Sequence, residues 1–296
     1  MGRLFEIKQR AIEILYRIDQ MVPKRLGICI RNRFAPWRKP ILDVVEIHLT
    51  DHCNLNCVGC LHFTPLAKKW FADAHEVKRD LKALREKFRL IRHVTLLGGE
   101  PLLHPEYERF VMAVKEVSPE SLVTIVTNGV LLKGETLDRF LHVCAENRVR
   151  VKWTVYPPIE HRREELVRAF KDAKVEMFMV DVKEFYVKML PDGGNPRSAL
   201  RLCRNSTYCP YLRDGRLYTC AQAFHIRDYI AAYNKEVGGE SKMCPSKGLD
   251  VHDSKLDGWA ILKYLMTPCE TCRFCADSLR YMKWGHCTGS VKEWIR

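Results

Sequence analysis

Three cysteines stand in the pattern C-x3-C-x2-C at Cys53, Cys57 and Cys60, directly after an apolar run at 44–49. Three thiolates leave one corner of a metal site open. Structural zinc wants four protein ligands, so His62 would have to complete such a site. Iron–sulfur clusters are normally held by four thiolates. A cube held by three would leave one iron free to bind a small molecule. A second group of cysteines lies far along the chain: Cys203, Cys209, Cys220, Cys244, Cys269, Cys272, Cys275 and Cys287. Cys203, Gly215 and Cys220 give C-x11-G-x4-C, and C-x2-C-x2-C follows at Cys269, Cys272 and Cys275. Cys29 and Cys144 are expected to be ordinary buried thiols.

The whole chain has 296 residues, 13 cysteines and a formal charge of +13. An odd number of cysteines in a chain this long points to bound metal rather than disulfide staples. The hydrophobic content of 47% is enough for a substantial core and excludes disorder. There is no apolar run of the ~18 residues that a membrane span requires. The first ten residues lack the apolar centre of a secretory signal, so the cytoplasm is the expected compartment. Residues 1–40 carry ten basic and three acidic side chains, +7 of the +13, so the rest is only mildly basic. Aromatic and basic residues do not interleave, which argues against nucleic acid as a partner.

The elements that must position these cysteines alternate. Strands are expected at 44–49, 93–97, 122–127, 149–156 and 175–180, and helices at 75–90, 106–117, 135–146 and 160–172. Such alternation implies parallel strands joined by right-handed crossovers, with ligands at the strands' C-terminal ends. The expected fold is α/β: a partial parallel (β/α) barrel over 43–185, with a small cysteine-rich C-terminal cap over 186–296. A β-hairpin around Asp214-Gly215 belongs to that cap, which otherwise shows little regular structure. Residues 1–42 form an N-terminal segment: an amphipathic basic helix over 3–20, with apolar positions Leu4, Ile7, Ala11, Leu15 and Ile18, and a proline-broken linker. The helix would pack on its own domain or rest on an anionic membrane surface.

The cysteine triplet, with Gly98-Gly99-Glu100-Pro101 after the second strand, resembles the radical S-adenosylmethionine (SAM) enzymes. The resemblance covers about residues 43–180. It implies a 4Fe–4S cluster on Cys53, Cys57 and Cys60 whose free iron chelates SAM, yielding a 5′-deoxyadenosyl radical that abstracts hydrogen from substrate. Gly98, Gly99, Glu100 and Pro101 would line the methionine end, with Glu100 or a backbone carbonyl accepting from its ammonium. Asn128 would contact the ribose. The family pattern has a bulky residue before the third cysteine where this chain has Gly59; Phe63 is the candidate to fill that space at the adenine. An external electron donor such as flavodoxin or ferredoxin is implied.

The later cysteines resemble the twitch and SPASM auxiliary-cluster caps. One auxiliary 4Fe–4S cluster is implied, on Cys203 and Cys220, with Cys209 as a substitute, together with Cys269/Cys272 or Cys272/Cys275. Cys244 and Cys287 would ligate iron or donate hydrogen to a substrate radical. The competing assignment is a zinc ribbon on Cys209, Cys220, Cys272 and Cys275, in a non-catalytic binding protein. The strings LTDHCNLNCVGCLHFTPLA and LLGGEPLLHPEYERF resemble a subgroup associated with sugar and aminoglycoside modification. They imply a carbohydrate dehydrogenase or epimerase, with peptide maturation as the alternative. Arg197, Arg201, Arg204, Arg213 and Arg216 would grip an anionic sugar or remain solvated. His48 and His62, which flank the cluster segment, are further candidates for a functional role.

Overall fold

Residues 39–203 and 209–296 are described by a computed structural model. The N-terminal helix, its linker, Cys29 and Arg204 lie outside the described residues. Four βα units and a fifth strand open the fold: β1 (Ile41–Thr50), α1 (Ala74–Lys87), β2 (Leu90–Gly98), α2 (Tyr107–Val117), β3 (Leu122–Thr127), α3 (Gly134–Glu146), β4 (Arg150–Val155), α4 (Arg163–Asp172) and β5 (Met177–Asp181). The five strands lie side by side and parallel in the order β5-β4-β3-β2-β1. Their inward residues meet the helices in one core that includes Val45, Leu49, Phe88, Phe110, Trp153 and Phe170. Each such fully buried side chain contributes about 1.5–3 kcal/mol.

Helix α1 begins where the sequence places it because Asp73 caps it, its Oδ1 accepting from the amides of His75 and Glu76 at 2.7 and 3.0 Å. It ends before 90 because Leu90 pairs with Ile41 at the start of β2. The chain continues through β6 (Glu184–Met189), α5 (Pro196–Leu202), β7 (Tyr211–Arg213) and β8 (Arg216–Tyr218). The last elements are α6 (Ala221–Val237), β9 (Leu249–Asp250), α7 (Gly258–Leu265) and β10 (Cys275–Lys283).

Two corrections to the sequence expectations concern this later half. The hairpin β7–β8 extends the main sheet: β7 runs parallel to β1, with Glu46 opposite Tyr211 and Ile47 opposite Leu212. Its turn residues Asp214 and Gly215 have φ of 51° and 70°, as a tight two-residue hairpin requires. Asp80 on α1 holds the turn, accepting from the Gly215 amide at 2.7 Å. Nor is the segment poor in regular structure, since α6 alone has 17 residues. Its first turns are buried on every side, from Ala221 through Ile226, so the polar–apolar period that marks a surface helix is missing. β10 pairs antiparallel with β6, a contact too distant in sequence to be read from local pattern. A second core forms there from Phe63, Ile226, Tyr229, Phe274 and Trp294. No helix among the described residues is long and apolar enough to cross a membrane.

Candidate active site

The cluster segment leaves the C-terminal end of β1 and is immediately gripped by the glycine segment that ends β2. The amide of Gly99 donates to Thr50 O at 2.8 Å, and that of Glu100 to His52 O at 2.9 Å. A methyl group on Gly98 would fall 2.2 Å from Thr50 O, and one on Gly99 2.2 Å from His52 O. Both positions therefore demand glycine, because two backbones touch there. What the pair does first is fix the base of the cysteine loop.

The C-terminal strand returns along the other side of that loop. Val58 N donates to Gly285 O at 2.9 Å, and Cys287 N to Asn56 O at 2.8 Å. The sulfurs have ready donors: Trp284 Nε1 lies 3.1 Å from Cys57 Sγ, and Thr64 Oγ1 3.4 Å from Cys60 Sγ. Asn128 Nδ2 lies 4.0 Å from Cys53 Sγ and donates to Asn54 Oδ1 at 2.7 Å. Burial pushes the Cys53 and Cys57 thiols up to about 12. In the metal-free chain these sulfurs hold their protons, and a metal must displace them to bind. Three adjacent thiols with donors aimed at their sulfurs fit an iron–sulfur cluster with one open iron.

Glu100 is 1% exposed, and its carboxylate already has partners. Oε1 accepts from Thr127 Oγ1 at 2.7 Å and Leu102 N at 3.2 Å, while Oε2 accepts from Asn128 N at 2.8 Å. The side chain thus ties the end of β2 to the end of β3. Burial raises its ionisation to about 7, against hydrogen bonds that favour the carboxylate. Pro101 is buried at the start of a short 3-10 turn that Glu100 caps.

Phe63 departs from its expected place. It is fully buried against Tyr229 and Trp294, with no exposed ring face for a nucleobase. Besides Trp284, an aromatic group that borders the cysteines is Tyr156, just past the end of β4. Burial drives its hydroxyl well above the ordinary range, helped by the proximity of Cys57, Cys60, Cys53 and Glu100. Tyr156 in turn meets Phe185 and Trp284 at ring separations of 6.1 and 6.4 Å. Sequence reasoning missed all three. Tyr156 was accessible to the rule that ligands gather at strand C-termini, being the residue just past β4.

Five later cysteines share one cavity: Cys203, Cys220, Cys269, Cys272 and Cys275 line it, with Thr219 and Thr271. Cys269 and Cys272 sulfurs are 3.6 Å apart, and Thr219 Oγ1 donates to Cys269 at 3.3 Å. The contact with Cys272 lowers Cys269 to about 6 and raises Cys272. This donor set fits a thiolate-bound metal group. Cys209 is not among the residues that line this cavity. Cys244 is exposed at the edge of this region, its carbonyl accepting from Thr271 Oγ1 at 3.1 Å. Cys287 sits instead beside the first triplet, where burial pushes its thiol up to about 12. Cys144 is buried, as expected.

Between the two cysteine groups lies a set of polar residues of which the sequence flagged only part. His48 stacks near His62 and His225, with ring separations of 4.5 and 5.0 Å. Burial lowers His48 far below the ordinary histidine range and His62 to about 4, so both rings are neutral. Arg213 is neither a surface charge nor free to grip a sugar. It is 8% exposed, and its Nη1 donates to both oxygens of Asp51 at 3.2 Å. Arg216 donates to the carbonyls of Lys247 and Gly248.

A parallel α/β sheet with a three-cysteine loop at the end of its first strand, clamped by Gly-Gly-Glu-Pro from the second, defines a class. The model of the Radical SAM superfamily matches residues 47–213, more than half of the chain, and the protein belongs to that superfamily. Curated relatives include the GTP 3',8-cyclases of Aquifex aeolicus, 32% identical over 96 residues, and of Chlorobaculum tepidum, 35% identical over 91 residues. The matches cover 31% of this chain and only 29% and 27% of those relatives, under a third of their length. Among solved structures, BtrN in complex with AdoMet and 2-DOIA aligns at a TM-score of 0.45 and 16% identity, over 62% of this chain and 75% of that one. Native anSMEcpe with bound AdoMet and Cp18Cys peptide aligns at 0.43 and 14% identity, over 79% and 82%.

Proposed function

We propose that this radical SAM enzyme abstracts hydrogen from a compact carbohydrate, of sugar or aminoglycoside type, and that a second iron–sulfur cluster takes part in the oxidation or epimerisation that follows. The single observation that carries it is the cavity lined by Cys203, Cys220, Cys269, Cys272 and Cys275. More thiols than one cluster requires converge there, beyond the Cys53–Cys57–Cys60 loop. The subgroup resemblance of the two motif strings supports the carbohydrate class. The match to the curated relatives spans under a third of their length, too little to carry their activity to this chain.

Cys53, Cys57 and Cys60 would hold the first cluster, and four of the five cavity cysteines the second. Bound SAM and its cluster supply the hydrogen-atom abstraction. The chain's own residues set the stage. Trp284, Thr64 and Asn128 donate toward the sulfurs. Tyr156, Phe185 and Trp284 pack together beside the cluster loop. The segment after β10 closes against the cysteine loop, with Val58 N donating to Gly285 O and Cys287 N to Asn56 O. An external electron donor such as flavodoxin or ferredoxin would complete the system.

The test is anaerobic incubation of cluster-loaded protein with SAM, a reductant and a panel of amino sugars, sugar phosphates and peptides. Release of 5′-deoxyadenosine stimulated by a carbohydrate, with a new ketone or inverted carbon, is the expected result. Stimulation by peptides alone would replace this assignment with the maturase.

A further inference from the structure

We propose that His48, Asp51 and His225 form a mononuclear zinc site that ties helix α6 to the end of strand β1. The three ligand atoms face one another: His48 Nδ1 and His225 Nε2 are 3.2 Å apart, and Asp51 Oδ1 lies 3.8 and 3.7 Å from them. The centre of that triangle is about 2.1 Å from each corner, the distance zinc takes from imidazole nitrogen and carboxylate oxygen (~2.0–2.2 Å). All three residues are buried, so no bulk solvent competes for the centre.

A purely hydrogen-bonded cluster accounts for less of this geometry. A carboxylate bonded to either imidazole would close to about 2.7–3.0 Å. Asp51 Oδ1 instead stands off almost equally from both rings, beyond that range, and accepts from Arg213 Nη1 at 3.2 Å. One proton at most fits between the two facing nitrogens, and His48 Nε2 and His225 Nδ1 have no hydrogen-bond partner among the described residues. Asp228 Oδ2 lies 3.6 Å from His225 Nδ1, on the side away from the cluster.

Two imidazoles and one carboxylate form a borderline-soft donor set that suits zinc. Arg213 holds Asp51 through the same carboxylate, and its own charge is shared with Asp214 at 3.2 Å. The cation beside the site favours an anionic oxygen at the fourth position. The site lies outside both cysteine groups and does not depend on the choice of substrate.

The experiment uses protein with its clusters reconstituted, supplemented with zinc chloride and desalted, beside His225→Gln prepared identically. One equivalent of zinc with only nitrogen and oxygen neighbours in its X-ray absorption spectrum is expected. It should vanish in His225→Gln while iron content is unchanged. No retained zinc in the wild type, sulfur in the zinc shell, or full zinc in His225→Gln overturns the proposal. The wild-type spectrum decides by itself if the variant fails to fold.

Discussion

The indole N–H of Trp284 points at the sulfur of Cys57 across 3.1 Å, joining the C-terminal strand to the cluster loop. A hydrogen bond to a ligating sulfur stabilises the more negative, reduced cluster and so raises its potential. Trp284→Phe keeps most of the wall and removes the donor. The first cluster should then titrate at a more negative potential, by tens of millivolts, in an EPR-monitored redox titration, with iron content retained.

Gly98 and Gly99 are required by contact, since a Cβ on either would meet a carbonyl oxygen at 2.2 Å. Relieving such an overlap means moving the segment that precedes Cys53, at a cost of about 1–3 kcal/mol or more. Gly99→Ala should lower thermal stability and lose the first cluster's iron selectively. Iron counts and melting curves on the variant check both effects.

Glu100 supplies a pH dependence whose sign is fixed. Its ionisation is raised from 4.5 to about 7 by burial, so the folded chain holds a proton that the unfolded chain releases first. Stability from this group is full below pH 4.5 and is lost as pH rises to about 7, by roughly 3 kcal/mol at ~1.4 kcal/mol per unit. Urea unfolding of the metal-free wild type and Glu100→Gln across this range should show the difference between them shifting by that amount, in favour of the variant at higher pH.

In the later cavity, Cys203 lines the wall and Cys209 does not. Cys203→Ala should reduce the second cluster's iron and its visible absorption markedly, whereas Cys209→Ala should leave both intact. Equal losses in the two variants would contradict the cavity assignment.

The parallel strands and the cysteine triplet were legible because each is local: period, turn residues and spacing all lie within a few residues of one another. Phe63 was misplaced because a motif gives residue types while packing decides which way they face. Phe63 turned into the second core. The start of helix α6 was hidden by the burial of its first turns on all sides. His225 could not be paired with His48 and Asp51, because its contact with His48 spans 177 residues and exists only when the hairpin and α6 close on β1.

The most direct measurement is iron and sulfide content after anaerobic reconstitution, for the wild type and for Cys53→Ala/Cys57→Ala/Cys60→Ala. Two four-iron clusters predict about eight irons per chain, falling to about four in the triple variant. Sulfur-bound zinc in place of iron, or the same iron content in both proteins, would contradict the assignment of a SAM-type cluster to the first triplet.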